Sequence, residues 1–332
     1  MIKVLLNNQD ITEFVTSVQW SGHSQKPNRE LTLQIKNTTD GVKRALKIYP
    51  GDSVVFFVEG KKVFTGVLFN TNISSSGEES LTFYDRNVYL QKNYDTRKFS
   101  KTKASDIVKR LAKDFNIPTG IIEDTKYVIP VLIMRNLSLY DMMLKALVYT
   151  YKQSGKRFFL TSDENGRLCL RIPINNIQPY ILAAGQNLMD ASYSLSIEDT
   201  RTQVKVTGGK DNRLTHTVKS PNLQKKYGVM QHIEEMDEKA TLSQVKQRAE
   251  VLLKEKGVIH DQSSISCIGI PSVITGCGIY AKEPVTNLAG GYYVTSDVHD
   301  FSRGLHTMQL EISKSLDMPD IEISNEELGI EG

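Results

Sequence analysis

The stretch Gly269–Ser313, GIPSVITGCGIYAKEPVTNLAGGYYVTSDVHDFSRGLHTMQLEIS, decides how the chain is read. Tyr292, Val294, Ser296 and Val298 fall on one face of a period-2 pattern. His306, Met308, Leu310 and Ile312 repeat it beyond Ser302-Arg303-Gly304. Two alternating runs around a Gly-containing turn predict a β-hairpin. Upstream, Gly276 and Gly278 bracket the entry to a short strand, Ile279–Ala281. These are the residues of a building element, with no reactive group at its centre.

An echo lies near the N-terminus. Pro50-Gly51-Asp52 opens a strand, Ser53–Val58, and Gly60-Lys61-Lys62 turns it into a long strand, Val63–Ile73. A second turn, Ser74–Glu79, leads back through Leu81–Tyr84. In both places a Gly precedes a β-branched residue by three positions, Gly51 to Val54 and Gly276 to Ile279. Two related β units in one chain are expected.

Between them the period changes. Residues 1–98 carry short strands with turn signals about every ten residues, the pattern of a barrel or sandwich. In residues 99–180, Ala104, Ile107, Val108, Leu111, Ala112 and Phe115 sit at helical spacing, with Thr102 as the expected N-cap. A second helix starts at Ser138, with Asp141 as its capping-box partner, and stops near Gly155. Its Met142 and Met143 fall on the face the helix must bury, so core is expected there. Asn165-Gly166 marks a hairpin. Residues 181–316 return to strands, interrupted over 210–257 by a polar stretch and a helix that runs from Thr241 to Gly257. The polar stretch reads as a loop that orders against a neighbour, with Lys225, Lys226 and Tyr227 as candidate docking residues. The loop Gly22–Asn28 is another candidate contact.

Residues 317–332, DMPDIEISNEELGIEG, hold six carboxylates and no Lys or Arg. Alone, such a tail buries too little apolar area to offset its ordering entropy, so mobility is expected in the isolated protein. Pro319 followed by Ile321 and Ile323 at period 2 suits a strand added to a neighbour's edge. Ile321, Ile323 and Leu328 are the candidate docking residues there, with Ile330 beside them.

Bulk numbers exclude several function classes. A chain of 332 residues suggests two or three domains, and 39% hydrophobic with 24% charged residues describes a soluble globular chain. No apolar run is long enough to span a membrane, and the start, MIKVLLNNQDITEF, has no secretory cleavage site. Cys169, Cys267 and Cys277 give neither a disulfide framework nor a zinc spacing, and buried thiols are expected in a reducing cytoplasm. The net charge of +3 hides a basic middle, 13 basic against 7 acidic residues over 99–180, and an acidic tail. Opposed charges favour ordered docking over adsorption to nucleic acid.

The chemistry of a catalyst is missing from the sequence. His23, His216, His232, His260, His299 and His306 are scattered without HExxH spacing, and no phosphate loop or GxSxG is present. Glu234-Glu235 lies in a polar segment without an apolar pocket to raise one pKa. His299 with Asp297, Asp300 and His306 is the one cluster, and a structural role is expected for it. No catalytic residue, metal or cofactor is assigned.

The order of these pieces resembles a known family, the baseplate hub proteins of contractile phage tails. These include the T-even and Mu-type hubs and the XkdQ/YqbQ-like proteins of phage-like particles in Gram-positive bacteria. Phe64-Thr65-Gly66-Val67, Leu81-Thr82-Phe83-Tyr84-Asp85 and Tyr89-Leu90 are similar to the first barrel. Lys103-Ala104-Ser105-Asp106-Ile107-Val108 is similar to the helix opening the middle domain. The resemblance covers most of the chain. It implies a mainly β fold with α+β insertions: two tail-tube-like β-barrels in tandem (1–98 and 181–316) around a small α+β domain (99–180). The implied function is a structural hub, a homotrimer whose six barrels adapt a hexameric tail tube to a central spike beside other inner baseplate proteins. DNA, where the particle carries any, would transit the lumen without specific binding. Assembly in the bacterial cytoplasm, then residence in the baseplate, goes with that reading. A single-ring tube-like subunit, a β-rich adhesin and a cell-wall hydrolase are the competing readings. The hydrolase lacks paired carboxylates in a cleft or zinc ligands.

Overall fold

At Arg303-Gly304 the alternation breaks, and both residues take positive φ, 51° and 77°. Two successive left-handed residues give a turn whose twist matches its flanking strands. The earlier hairpin turns in the same way, at Glu59 (φ 52°) and Gly60 (φ 78°). The computed structural model describes residues 1–173, 176–236, 238, 240–319 and 321–329. Ile330 and Asp237, in segments singled out above, lie outside them.

The chain forms two units, Met1–Ser192 with Ser264–Glu331, and Tyr193–Ser263. In the first lie β1 (Ile2–Leu6), β2 (Gln9–Asp10), β3 (Val15–His23), β4 (Glu30–Lys36), β5 (Ser53–Val58), β6 (Lys61–Ile73) and β7 (Glu78–Tyr84). Then come α1 (Tyr89–Lys92), β8 (Tyr94–Lys103), α2 (Ala104–Asp114), β9 (Thr119–Ile122), β10 (Val128–Ser138), α3 (Leu139–Ser154), β11 (Phe159–Ser162) and β12 (Leu168–Arg171). β13 (Ile177–Ala183) and β14 (Leu188–Ser196) lead to the second unit, with β15 (Gln203–Gly208), β16 (Leu214–Lys219), α4 (Pro221–Tyr227), β17 (Gln231–Glu235) and α5 (Leu242–Lys256). β18 (His260–Ile268), β19 (Gly278–Glu283), β20 (Leu288–Ser302) and β21 (Leu305–Ser313) follow.

One 13-stranded sheet runs β14-β18-β21-β20-β3-β4-β7-β6-β5-β1-β2, with β19 and then β13 branching from β20. β20 is long enough to serve two partners along one edge. Its first half pairs with β19, Tyr280 opposite Gly291, and its second half with β3, His299 opposite Trp20. The N- and C-terminal β regions are thus hydrogen-bonded into a single sheet. The chain is mainly β, as expected; no closed barrel occurs among the described ladders. Val4, Leu31, Phe56 and Phe83 centre one apolar cluster, and Cys267, Cys277, Val294 and Leu310 another.

The α+β region packs α2 and α3 against the β8–β10 pair, and Met142 and Met143 are fully buried in its core. Ser138 caps α3 by accepting from Asp141 N–H, and Gly155 closes it at φ 70°. Thr102 does not cap α2: Lys103 is the N-cap residue without a side-chain bond, and Thr102 Oγ1 donates to Ser100 O instead. The second unit places α5 on the β16-β15-β17 sheet over Val204, Val206, Val245, Ala249 and Leu252. The polar stretch expected as a loop is therefore β16, α4 and β17. Its signal is weak because β17 adds only Ile233 as a large apolar residue, and that side chain is exposed.

Candidate functional site

A bulge sets the most polar place in the core. The β20–β21 register shifts between Val294 and Ser296. An extra residue on one strand reverses which side chains face inward. Tyr292 and Val294 are buried as expected, but beyond the shift Asp297, His299 and Phe301 turn in, and Ser296 and Val298 do not. The expected face of this strand is thus wrong for its second half.

Asp297 and His299 are both fully buried, and a buried carboxylate needs a partner. Arg29, just before β4, supplies it. Its Nη1 donates to Asp297 Oδ1 at 2.9 Å and its Nη2 to Oδ2, a two-pronged pair. Thr275 adds its N–H and Oγ–H, each 2.6 Å from Asp297 Oδ1. Burial alone would raise the Asp297 pKa; the Arg29 charge and hydrogen bonds outweigh it and hold the carboxyl below its usual range. The guanidinium also lies over the Trp20 ring, 4.1 Å from its centroid, with His299 5.1 Å from that ring. Gly22 is required at this place, because a Cβ there would meet Arg29 Nη1 at 2.3 Å.

The histidines are fixed by the same packing. His299 Nε2 lies 3.0 Å from Val273 O, a pure acceptor, so Nε2 carries the proton. Nδ1 then accepts from His306 Nε2, also at 3.0 Å. Phe301 stacks on His306 at 3.9 Å. Burial pushes both imidazoles down to about 4, so both are neutral near pH 7. Asp300 points to the other side of the strand and is only partly buried. Asp85, fully buried, is pushed up to about 6 by burial; it accepts from Arg29 N–H and Asn87 N–H at 2.7 and 2.8 Å. This network fastens β3 and β4 to β20. It presents no nucleophile or free base, and no group of three or more His, Cys, Asp or Glu among the described residues is placed to hold a metal. All three cysteines are buried and free, and burial pushes the Cys267 and Cys277 thiols up to about 12.

The tail is the second place of interest. Ile321, Ile323 and Leu328, with Met318, pack on the apolar core of this chain's own α+β region. Lys145 of α3, almost buried, pairs with Glu327 at 2.7 Å and donates to Glu322 O. Ile133 N–H of β10 donates to Glu327 O at 2.6 Å, and Arg157 reaches Leu316 O and Asp317. The expectation of a mobile tail fails because the segment does not need a core of its own. Asp320 and Ile330–Gly332 lie outside the described residues.

Lys225, Lys226 and Tyr227 end α4 in the second unit, with both lysines exposed and Lys226 Nζ 4.9 Å from the Tyr227 ring. They and the tail residues belong to different units. The loop Gly22–Asn28 is tied to its own chain: Tyr140 O–H donates to Gln25 O, and Asn87 Nδ2 donates to Pro27 O. Arg29 was not singled out in the sequence: the expected face of β20 held Ser296 and Val298, so nothing marked Asp297 as a buried carboxylate in need of a cation.

Comparison with known proteins matches residues 18–313 to a family described as YQBQ-like. YqbQ of Bacillus subtilis (strain 168) is 37% identical over 93% of this chain and 95% of its own. The phage-like element PBSX protein XkdQ of the same organism is 35% identical over 92% and 94%. Among solved structures, the 43 kDa tail protein of prophage MuSo2 from Shewanella oneidensis shares the fold, with a TM-score of 0.70 at 13% identity over 94% of this chain and 97% of that one. No helix among the described residues is long and apolar enough to cross a membrane.

Proposed function

This chain belongs to the YQBQ-like family, and we propose that it is the structural hub of a phage-tail-like baseplate, without enzymatic activity. Its relatives' names place them in a phage-like element and in a prophage tail. In our reading, residues 1–98 and the strand parts of 181–316 are two tail-tube-like β units, with 99–180 and the inserted segment beside them. Three copies then offer six β units to a six-fold tube on one side and a three-fold spike on the other. DNA, if carried, passes a hydrophilic lumen, since a strongly basic wall would hold its phosphates.

The observation that carries this reading is the β3–β20 ladder, closed by the buried Arg29–Asp297 pair. An adaptor that must present two β units at one fixed angle needs them welded, and a continuous sheet with a buried charge pair is such a weld. Imaging of the protein bound to its tail tube tests the proposal. A three-fold ring with six β lobes is expected; a ring of six copies would make it a tube-like subunit instead.

A further inference from the structure

A cavity of about 530 Å³ opens beside the buried charge pair, walled by Trp20 of β3, the turn that joins β5 to β6, β11 and the segment 270–276. Val58, Phe159, Ile274 and Leu316 give it an apolar wall. That volume falls in the range of small-ligand sites. Two side chains in the wall each carry a buried donor without an acceptor among the described residues, Trp20 at Nε1 and Arg29 at Nε. Trp20 is only 3% exposed and Arg29 only 8%. Nη1 and Nη2 of Arg29 are taken by Asp297, which leaves Nε over. An unpaired buried N–H weakens a fold, so such groups are normally satisfied by protein, water or a ligand. This chain offers neither donor an acceptor of its own among the described residues.

We propose that this cavity binds an organic carboxylate, its apolar body on Val58, Phe159, Ile274 and Leu316 and its oxygens accepting from Trp20 Nε1 and Arg29 Nε. The sign of the ligand follows from the wall. Both unpaired groups are N–H donors, one of them on a guanidinium, so the missing partner is an acceptor and not a cation. Lys61, Lys62 and Arg171 line the same cavity. Of its carboxylates, Asp163 is engaged by Arg167 at 2.7 Å and Glu164 accepts from Asn165 at 3.0 Å, while Glu59 stands on the exposed turn. An inorganic anion would leave the apolar wall against water, whereas a carboxylate on a hydrocarbon body covers it. The same chemistry occurs free, as a small fatty acid, or at the end of a polypeptide whose last residue is apolar. The site stands on the cavity alone, whatever the number of copies in the ring.

Trp20 is the only tryptophan of the chain, so the full-length protein labelled with nitrogen-15 gives a single indole N–H resonance, and that resonance reports on the cavity. Titration with hexanoate is expected to move it downfield and to saturate, as the proton gains an acceptor. Hexylamine, of the same length and opposite charge, is expected to leave it in place. A resonance that stays put at saturating acid would mean that water alone fills the cavity, and an equal response to hexylamine would mean no preference for an acceptor; either overturns the proposal. A tetrapeptide ending in leucine, with its carboxylate free or amidated, separates the two sources. Binding tenfold tighter than hexanoate by the free form alone assigns a chain end, and binding no tighter assigns a small acid; both bear the carboxylate out. In calorimetry, Trp20→Phe keeps a ring but removes the N–H and is expected to weaken hexanoate about fivefold, the loss of one hydrogen bond. Lys61→Glu, on the exposed turn, leaves the core untouched and is expected to weaken it most at low salt. Folded variants that both bind like wild type would overturn the site.

Discussion

Arg29 and Asp297 are 268 positions apart and almost fully withdrawn from water, so each is the main compensation for the other's charge. Removing one partner of a buried pair leaves a bare charge at a cost of about 3–5 kcal/mol. Arg29→Met is therefore expected to destabilise by that amount in a denaturant titration, and Arg29→Met with Asp297→Leu by clearly less. The histidines make a second prediction. Both are held neutral with pKa values near 4, whereas each takes a proton below about 6.5 when unfolded. They favour the fold fully above pH 6.5 and lose that contribution as pH falls towards 4. Asp85 acts oppositely between its ordinary 3.8 and about 6, because the native state keeps its proton longer. Two histidines against one aspartate leave about one extra proton on the unfolded chain, a slope of roughly 1.4 kcal/mol per pH unit. Melting temperatures should thus fall from pH 6.5 to 4.5, and His299→Gln with His306→Gln should flatten the decline. An unchanged slope in the double variant would contradict it.

Among elements, the hairpins were legible because their turns are chemically marked: Arg303-Gly304 and Asn165-Gly166 each put glycine where φ is positive. Helix ends were legible where side chains cap them, at Ser138 and at Thr241, whose capping box with Gln244 is formed. The bulge at Thr295 was not, since nothing in Val294-Thr295-Ser296 separates an extra residue from a regular strand. Nor was the tail's docking, which depends on Lys145 and Ile133, far away in sequence and themselves unremarkable. A prediction follows for this element. Deleting residues 317–332 uncovers part of the α+β core and strips Lys145 of Glu327, so the truncated protein should melt several degrees lower. Lys145→Met in the truncated chain should recover part of the loss, because an unpaired buried charge is removed. A truncated protein that melts like the intact one would show that the tail adds nothing to this fold.

For the whole molecule, composition and order of elements conveyed the class, mainly β with an α+β region, because strand and helix periodicities differ so plainly between residues 1–98 and 99–180. What joined the β regions was hidden: a single 15-residue strand, β20, shares one edge between β19 and β3, and no local pattern announces a shared edge. In the hub reading proposed above, that join would hold the N- and C-terminal β regions in one sheet. The proposed hub role requires that three copies close a ring. Native mass measurement of the purified protein, at concentrations that drive assembly, reads this directly. A species of three times the 37.4 kDa chain is predicted; a hexamer, an isologous dimer or a persistent monomer would contradict it.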